Sequence, residues 1–191
     1  MIPLIKEIKN CQLCLPHLEN GVNPILRLST ESKIIIIGQA PGSIVHKTGI
    51  PWDDKSGERL REWLGVSRKD FYTPNKFGLL PMGFCYPGKG KNGDLPPRPE
   101  CAPKWHKPII KELKEVKLTL LIGQYAQKYY LEKEAKNNLT HTVKNYNNYL
   151  PHFIPLPHPS PRNNIWLKKN PWFKEEVIPM LQQRVQIIIN S

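Results

Sequence analysis

The chain has 191 residues, of which 39% are hydrophobic and 23% charged, so it is long enough to bury a core without disulfide bonds. With 28 Lys and Arg against 16 Asp and Glu, its formal net charge is +12. That charge favours a polyanionic partner such as nucleic acid, although a merely basic protein has the same composition. No apolar run reaches the roughly 18 residues of a membrane span, and the charged start MIPLIKEIKN excludes a secretory signal. We therefore expect a cytoplasmic monomer that does not bind membranes.

Four short apolar runs predict buried strands. They are KIIIIG (33–38), FGLLPM (77–82), LTLLIG (118–123) and FIPL (153–156). Continuous rather than alternating apolar residues are typical of parallel strands that are covered on both faces.

Helical patterns lie between and after these strands, at 56–64, 103–113, 124–131 and 172–185. Ser56 is the expected cap of the first of them. The alternation predicts an α/β fold, a three-layer sandwich with a central four-stranded parallel sheet and helices on both faces, as one domain over 1–191. Ligands of such sheets bind beyond the carboxyl ends of the strands, so functional residues are expected in the loops that follow the strands.

The first strand is followed by Gly38-Gln39-Ala40-Pro41-Gly42. Two glycines and a proline predict a tight turn whose backbone N–H groups can face a ligand. No Gly-Lys-Ser/Thr follows, so the turn is not a Walker loop.

Two further loops contain candidate functional residues. In 48–57, TGIPWDDKSG, Trp52 stands between a proline and two acids and could stack on a base, although a core tryptophan is the alternative. After the last strand, HPSPRN places His158 between prolines, with Ser160, Arg162 and Asn163 as donors for phosphate. A histidine held rigidly at this edge is a candidate for catalysis.

Together these loops resemble the uracil-DNA glycosylase superfamily. GQAPG and HPSPRN stand about 120 residues apart in the order of the family's first and last motifs, and GIPWDDKSG is similar to its Gly-x-Pro-Phe segment. HPSPRN is closer to the single-strand-selective monofunctional uracil glycosylases. The resemblance implies an enzyme that flips uracil, or a related deaminated base, out of single- or double-stranded DNA and hydrolyses its N-glycosidic bond in base excision repair.

The resemblance also implies roles for individual residues. His158 would stabilise the departing base, Trp52 would stack on it, and Gln39 or Asp53 would position water. Base-binding positions are Gly38, Gln39, Ala40, Trp52 and Gly83, and phosphate-binding positions are Gly42, Ser160, Arg162 and Asn163. Lys89, Lys91 and Arg98 would add electrostatic attraction. The chain departs from the family in having Ala40 where conventional members have the water-orienting aspartate. It also has Pro81-Met82-Gly83 where an asparagine reads uracil.

The four cysteines are Cys11, Cys14, Cys85 and Cys101, with the spacing C-x2-C, 70 residues, C-x15-C. This pattern resembles the thermophile-type branch, called family 4, which implies that they ligate a 4Fe–4S cluster. Zinc, with His106 as a substitute ligand, and four free thiols are the alternatives.

Three other functions stay open from the sequence. A non-catalytic protein could bind DNA lesions with the same fold, and a small-molecule enzyme could use the glycine-rich turn for a phosphate. A CxxC oxidoreductase is the third, although Cys11 and Cys14 precede the first strand instead of starting a helix after one.

Overall fold

A computed structural model of the chain describes residues 1–91 and 93–191. Its centre is a four-stranded sheet with the order β2-β1-β5-β6, in which every neighbouring pair is parallel. A separate antiparallel pair, β3 and β4, forms a small hairpin. The strands are β1 (Ile34–Ile37), β2 (Phe77–Leu79), β3 (Lys89–Gly90), β4 (Gly93–Asp94), β5 (Leu118–Ile122) and β6 (Phe153–Leu156). The predicted α/β fold class is confirmed.

Helices surround this sheet. They are α1 (Ile2–Lys9), α2 (Ser43–Thr48), α3 (Lys55–Leu64), α4 (Arg68–Phe71), α5 (Cys101–Glu112), α6 (Gly123–Leu131), α7 (Leu139–Lys144), α8 (Asn164–Lys169) and α9 (Ile178–Ile189). Short 3-10 turns occur at Leu15–His17, Glu132–Glu134, Tyr146–Tyr149 and Pro161–Asn163.

The sheet has a hydrophobic core on each face because successive strand residues point in opposite directions. Ile34 and Ile36 of β1 pack in one core, which also receives buried side chains of α3 and α9. Ile35 and Ile37 pack in the other core, against side chains of α5 and α6. This arrangement explains why the first strand is apolar at every position.

Three local features differ from the sequence-based prediction. The helix that begins near residue 56 is capped by Asp54, not Ser56, because the carboxylate of Asp54 accepts the amide of Gly57 at 2.8 Å. Strand β2 ends at Leu79, but the amides of Leu80 and Met82 continue to donate to β1 and the residue after it. The predicted helix at 172–185 begins with a π turn at Phe173–Val177, and α9 follows it with Pro179 in its first turn.

No helix within 1–91 or 93–191 is long and apolar enough to cross a membrane. The parallel order brings the segments after β1, β2 and β6 to the same edge of the sheet, where the predicted site residues follow the strands.

Candidate functional site

A cavity of about 440 Å³ lies at the carboxyl edge of the sheet. Its walls come from the turn after β1, the loop before α3, the β3–β4 hairpin and the segment after β6. The structure brings most of the predicted site residues together there: Gly38, Gln39, Ala40, Gly42, Trp52, His158, Ser160, Arg162 and Asn163. Asp53 and Gly83 are not among the lining residues.

Trp52 occupies an uncommon position on this wall. Its backbone has φ of +59°, in the left-handed region that disfavours residues with a side chain. Its indole lies over Gly38, where an added β-carbon would be 2.7 Å from Cζ2. A β-carbon at Gly57 would collide with the carbonyl of Trp52. Both glycines therefore make room for this one tryptophan.

The segment around Trp52 is held by three side chains from outside the cavity. Arg61, which is buried in α3, donates to the Trp52 carbonyl at 3.3 Å. The hydroxyl of Tyr72 donates to the carbonyl of Pro51 at 2.8 Å. Arg68 pairs with the carboxylate of Asp53 at 2.8 Å. These bonds hold the backbone of 51–53 in the conformation that strains Trp52.

His158 forms the wall beside Trp52, with ring centroids 5.8 Å apart. The amide of Ser160 donates to its Nδ1 at 3.2 Å. A neutral imidazole that accepts at Nδ1 carries its proton on Nε2, which is then the donor that remains. Burial lowers the pKa of His158, against an opposing effect of Asp54. The ring is therefore a neutral hydrogen-bond donor at neutral pH.

Asp54 lines the cavity, whereas Asp53 points to Arg68. One oxygen of Asp54 caps α3, and its charge acts on His158. The side-chain amide of Gln39 donates to the carbonyl of Leu95 at 3.3 Å. The sequence pattern did not indicate Asp54, because nothing in it distinguishes the orientations of two adjacent aspartates in a loop.

The remaining residues of HPSPRN make internal hydrogen bonds. The hydroxyl of Ser160 accepts the amide of Arg162 at 3.3 Å and caps a 3-10 turn. The amide of Asn163 donates to the His158 carbonyl at 2.7 Å. Arg59 of α3 donates to the carbonyl of Ser160 at 3.2 Å. The loop that contains His158 is thus held by hydrogen bonds within the loop and by one from α3.

The β3–β4 hairpin contributes lining residues that the sequence did not indicate. Gly93, Asp94 and Leu95 lie on the cavity wall. A β-carbon at Gly93 would collide with the guanidinium of Arg162, so these two loops touch. Lys89 and Lys91, predicted to attract DNA, are on this hairpin, and Asn92 lies outside the described residues.

Residues 27–182 match the sequence model of the uracil DNA glycosylase superfamily. The chain belongs to this superfamily. Among solved structures it is similar to the crystal structure of wild-type SMUG2 from Pedobacter heparinus, with a TM-score of 0.41 and 16% identity. The match covers 84% of this chain and 77% of that one.

A second, small cavity of this superfamily member, about 20 Å³, is lined by Cys11, Cys14, Cys85 and Cys101. The N-terminal segment folds back on the loop after β2, and the amide of Phe84 donates to Sγ of Cys101 at 3.4 Å. Among the described residues, no three His, Cys, Asp or Glu side chains stand at metal-binding spacing. Four soft sulfur donors on one cavity suit a thiolate-bound metal in kind, but their side chains would have to draw closer around it.

Burial raises the pKa of Cys14, Cys85 and Cys101, the last to about 12. A redox CxxC motif needs the opposite shift, because the thiolate is the reactive form. The Nε2 atom of His106 lies 3.0 Å from the carbonyl oxygen of Pro81, and its Nδ1 atom lies 2.7 Å from the hydroxyl of Tyr130. Both ring nitrogens of His106 are thus engaged away from the cysteines.

Proposed function

We propose that this chain is a DNA glycosylase that hydrolyses the N-glycosidic bond of uracil, or of a related deaminated base, flipped out of DNA. The proposal depends above all on the neutral ring of His158, which stands beside the indole of Trp52 in one cavity. The cavity volume of about 440 Å³ is within the ordinary range for small-molecule sites. Membership of the superfamily supports the reaction class.

The base would leave the stack and enter the cavity against Trp52. Extrusion costs least from single strands and mismatches, where few stacking and pairing contacts are lost. An aromatic face recovers part of that cost, since stacking contributes roughly 1–3 kcal/mol per base. The hydrogen bonds that hold residues 51–53 support this role, because a stacking surface that is already ordered loses little entropy on binding.

His158 would act on the leaving group. As the bond between the sugar carbon and the base nitrogen breaks, its electron pair moves into the base and negative charge grows on a carbonyl oxygen of the base, mainly O2. The neutral ring of His158 can donate a hydrogen bond from Nε2–H to that oxygen without first taking up a proton. Backbone N–H groups of the turn at 38–42 would add to this stabilisation, and one such donor contributes roughly 3–4 kcal/mol.

We propose that the carboxylate of Asp54 positions the attacking water and accepts its proton. It lines the cavity near His158, whereas Asp53 is paired with Arg68 and Gln39 is bonded to Leu95. Water would bond to the sugar carbon, and its proton would pass to the free carboxylate oxygen. Asp54 would thus take the role of the water-orienting aspartate that conventional members have at the position of Ala40.

We further propose that Cys11, Cys14, Cys85 and Cys101 hold a 4Fe–4S cluster, as in the family 4 branch, with zinc as the alternative. Their convergence on one cavity and the hydrogen bond from the amide of Phe84 to Sγ of Cys101 support this. The metal would join the N-terminal segment to the loop after β2. In this scheme it takes no part in bond cleavage.

The test is base release from oligonucleotides that contain uracil, hypoxanthine or xanthine, single- and double-stranded. We expect uracil release by the wild-type chain and a loss of roughly 100-fold or more in His158→Ala, with DNA affinity changed far less. Lesion binding without release by the wild type would instead support a non-catalytic lesion-binding protein. Release by His158→Ala at the wild-type rate would contradict the assignment of His158.

DNA affinity itself gives a second measurement. With a net charge of +12, phosphate contacts should release counterions, so binding should weaken steeply between about 50 and 200 mM salt. A DNA affinity that does not change with salt concentration in this range would contradict binding through phosphate contacts.

A further inference from the structure

A groove lies next to the cavity that contains Trp52 and His158. Its volume is about 670 Å³, and it shares Pro87 and Leu95 with the cavity as a common wall. Most of its other lining residues belong to the segment 96–103 and to α6, and His17 and Met82 complete the lining. The groove therefore adjoins the cavity that would receive the flipped base.

One face of α6 supplies the aromatic side of this groove. Tyr125 and Tyr129 are four residues apart, so their side chains lie one above the other, and Lys128 stands beside them. Tyr129 is 37% exposed although it is a large aromatic residue. Its ring is supported from behind by Tyr130 at 5.2 Å and by His106 at 6.0 Å.

The opposite side of the groove is made of prolines, principally Pro96, Pro97 and Pro99. The basic lining residues are His17, Arg98 and Lys128, and none of the described lining residues is a carboxylate. Arg98 is paired with Glu100 at 2.5 Å, which reduces its contribution. Lys128 is exposed, so it is available to a phosphate. Flat apolar surfaces with a cationic rim match the bases and backbone of a single strand.

We propose that this groove binds the unpaired bases next to the flipped nucleotide, with Tyr129 as a stacking surface and Lys128 beside the backbone. The proposal rests on the proposed function, in that the strand is placed by the base held in the cavity. A paired duplex cannot present its bases to Tyr129 in this way. The groove would therefore make the chain favour single-stranded DNA.

The test compares variants at one exposed position. Tyr129→Phe keeps the flat ring, Tyr129→Leu keeps apolar volume without it, and Tyr129→Ala removes both. The probes are a uracil-containing single strand of about 15 nucleotides and a trinucleotide with uracil in the middle. Affinity is measured by fluorescence anisotropy and uracil release by single-turnover kinetics.

We expect Tyr129→Ala and Tyr129→Leu to weaken binding of the longer strand by roughly 5-fold to 150-fold, the range for loss of one stacked base. Tyr129→Phe should stay within about twofold of wild type, and the trinucleotide should bind all four proteins alike. Normal uracil release with unchanged affinity of Tyr129→Ala for the longer strand would overturn the groove proposal. Tyr129-dependent binding without uracil release would support the groove and contradict the proposed glycosylase activity.

Discussion

The indole of Trp52 lies against Gly38 so closely that a β-carbon on residue 38 would come within 2.7 Å of Cζ2. Contacts under about 3 Å force one group to move, and Trp52 is already held by the bonds to 51–53. The glycine after β1 is thus needed for the aromatic wall as well as for the turn.

Gly38→Ala should therefore displace the indole and weaken base binding. We expect KM for uracil release to rise roughly tenfold, as for partial loss of a stacking contact of 1–3 kcal/mol. Steady-state kinetics on a single-stranded substrate measure it. The double variant Gly38→Ala with Trp52→Phe, whose smaller ring avoids the added carbon, should lose less than the sum of the single changes. Additive losses would show that the two residues act independently.

The positive φ of Trp52 predicts an unusual stability order. Trp52→Gly should be more stable than Trp52→Ala by about 1 kcal/mol, because glycine adopts the left-handed conformation without a β-carbon clash. Both variants should lose base binding. Chemical denaturation measures the difference in unfolding free energy. Equal stabilities would mean that the backbone at position 52 is not strained in solution.

Asp54 and Asp53 form a matched pair of carboxylates. Asp54→Asn should keep the helix cap, since asparagine caps equally well, yet lower base release by roughly 100-fold to 10,000-fold, as for a lost general base. Asp53→Asn should change the rate little, because its exposed pair with Arg68 contributes at most about 1 kcal/mol. Single-turnover kinetics of the two variants decide between them. A large loss in Asp53→Asn alone would restore the original prediction for Asp53.

The lowered pKa of His158 sets the pH dependence. The ring should remain neutral at and somewhat below 6.5, its ordinary pKa, and base release should fall only as pH drops through the lowered value. Because the unfolded chain binds this proton more readily than the folded one, the same fall in pH reduces stability. A pH–rate profile of wild type and Asp54→Asn separates the two groups. A rate that rises on acidification would indicate that imidazolium is the active form.

Iron and sulfide analysis after anaerobic purification tests the cysteine cavity. We expect iron and acid-labile sulfide in about equal amounts, as in a 4Fe–4S cluster, and their loss in Cys101→Ser. Leu13→Ser, which also changes a residue lining that cavity, should retain them. Stoichiometric zinc without sulfide would replace the cluster by a zinc site, and Cys101→Ser with full iron content would exclude Cys101 as a ligand.

The sequence determined the sheet, because burial on both faces requires strands such as Ile34–Ile37 that are apolar at every position. It also indicated Trp52 and His158, since the loops after parallel strands meet at one edge whatever the details of packing. Strands of two residues, such as Lys89–Gly90, have no periodicity to detect. The hairpin that carries Gly93 to the cavity was therefore not predictable.

Only the tertiary structure shows that Asp54, and not Asp53, lines the cavity. Adjacent residues in a loop point in different directions, and the choice was made by Arg68 from α4 and by the amide of Gly57 in α3. The same holds for the proton on His158, which depends on the amide of Ser160 directed at Nδ1. Local sequence determines which groups are available, whereas packing between distant elements determines which of them face the cavity and in which protonation state.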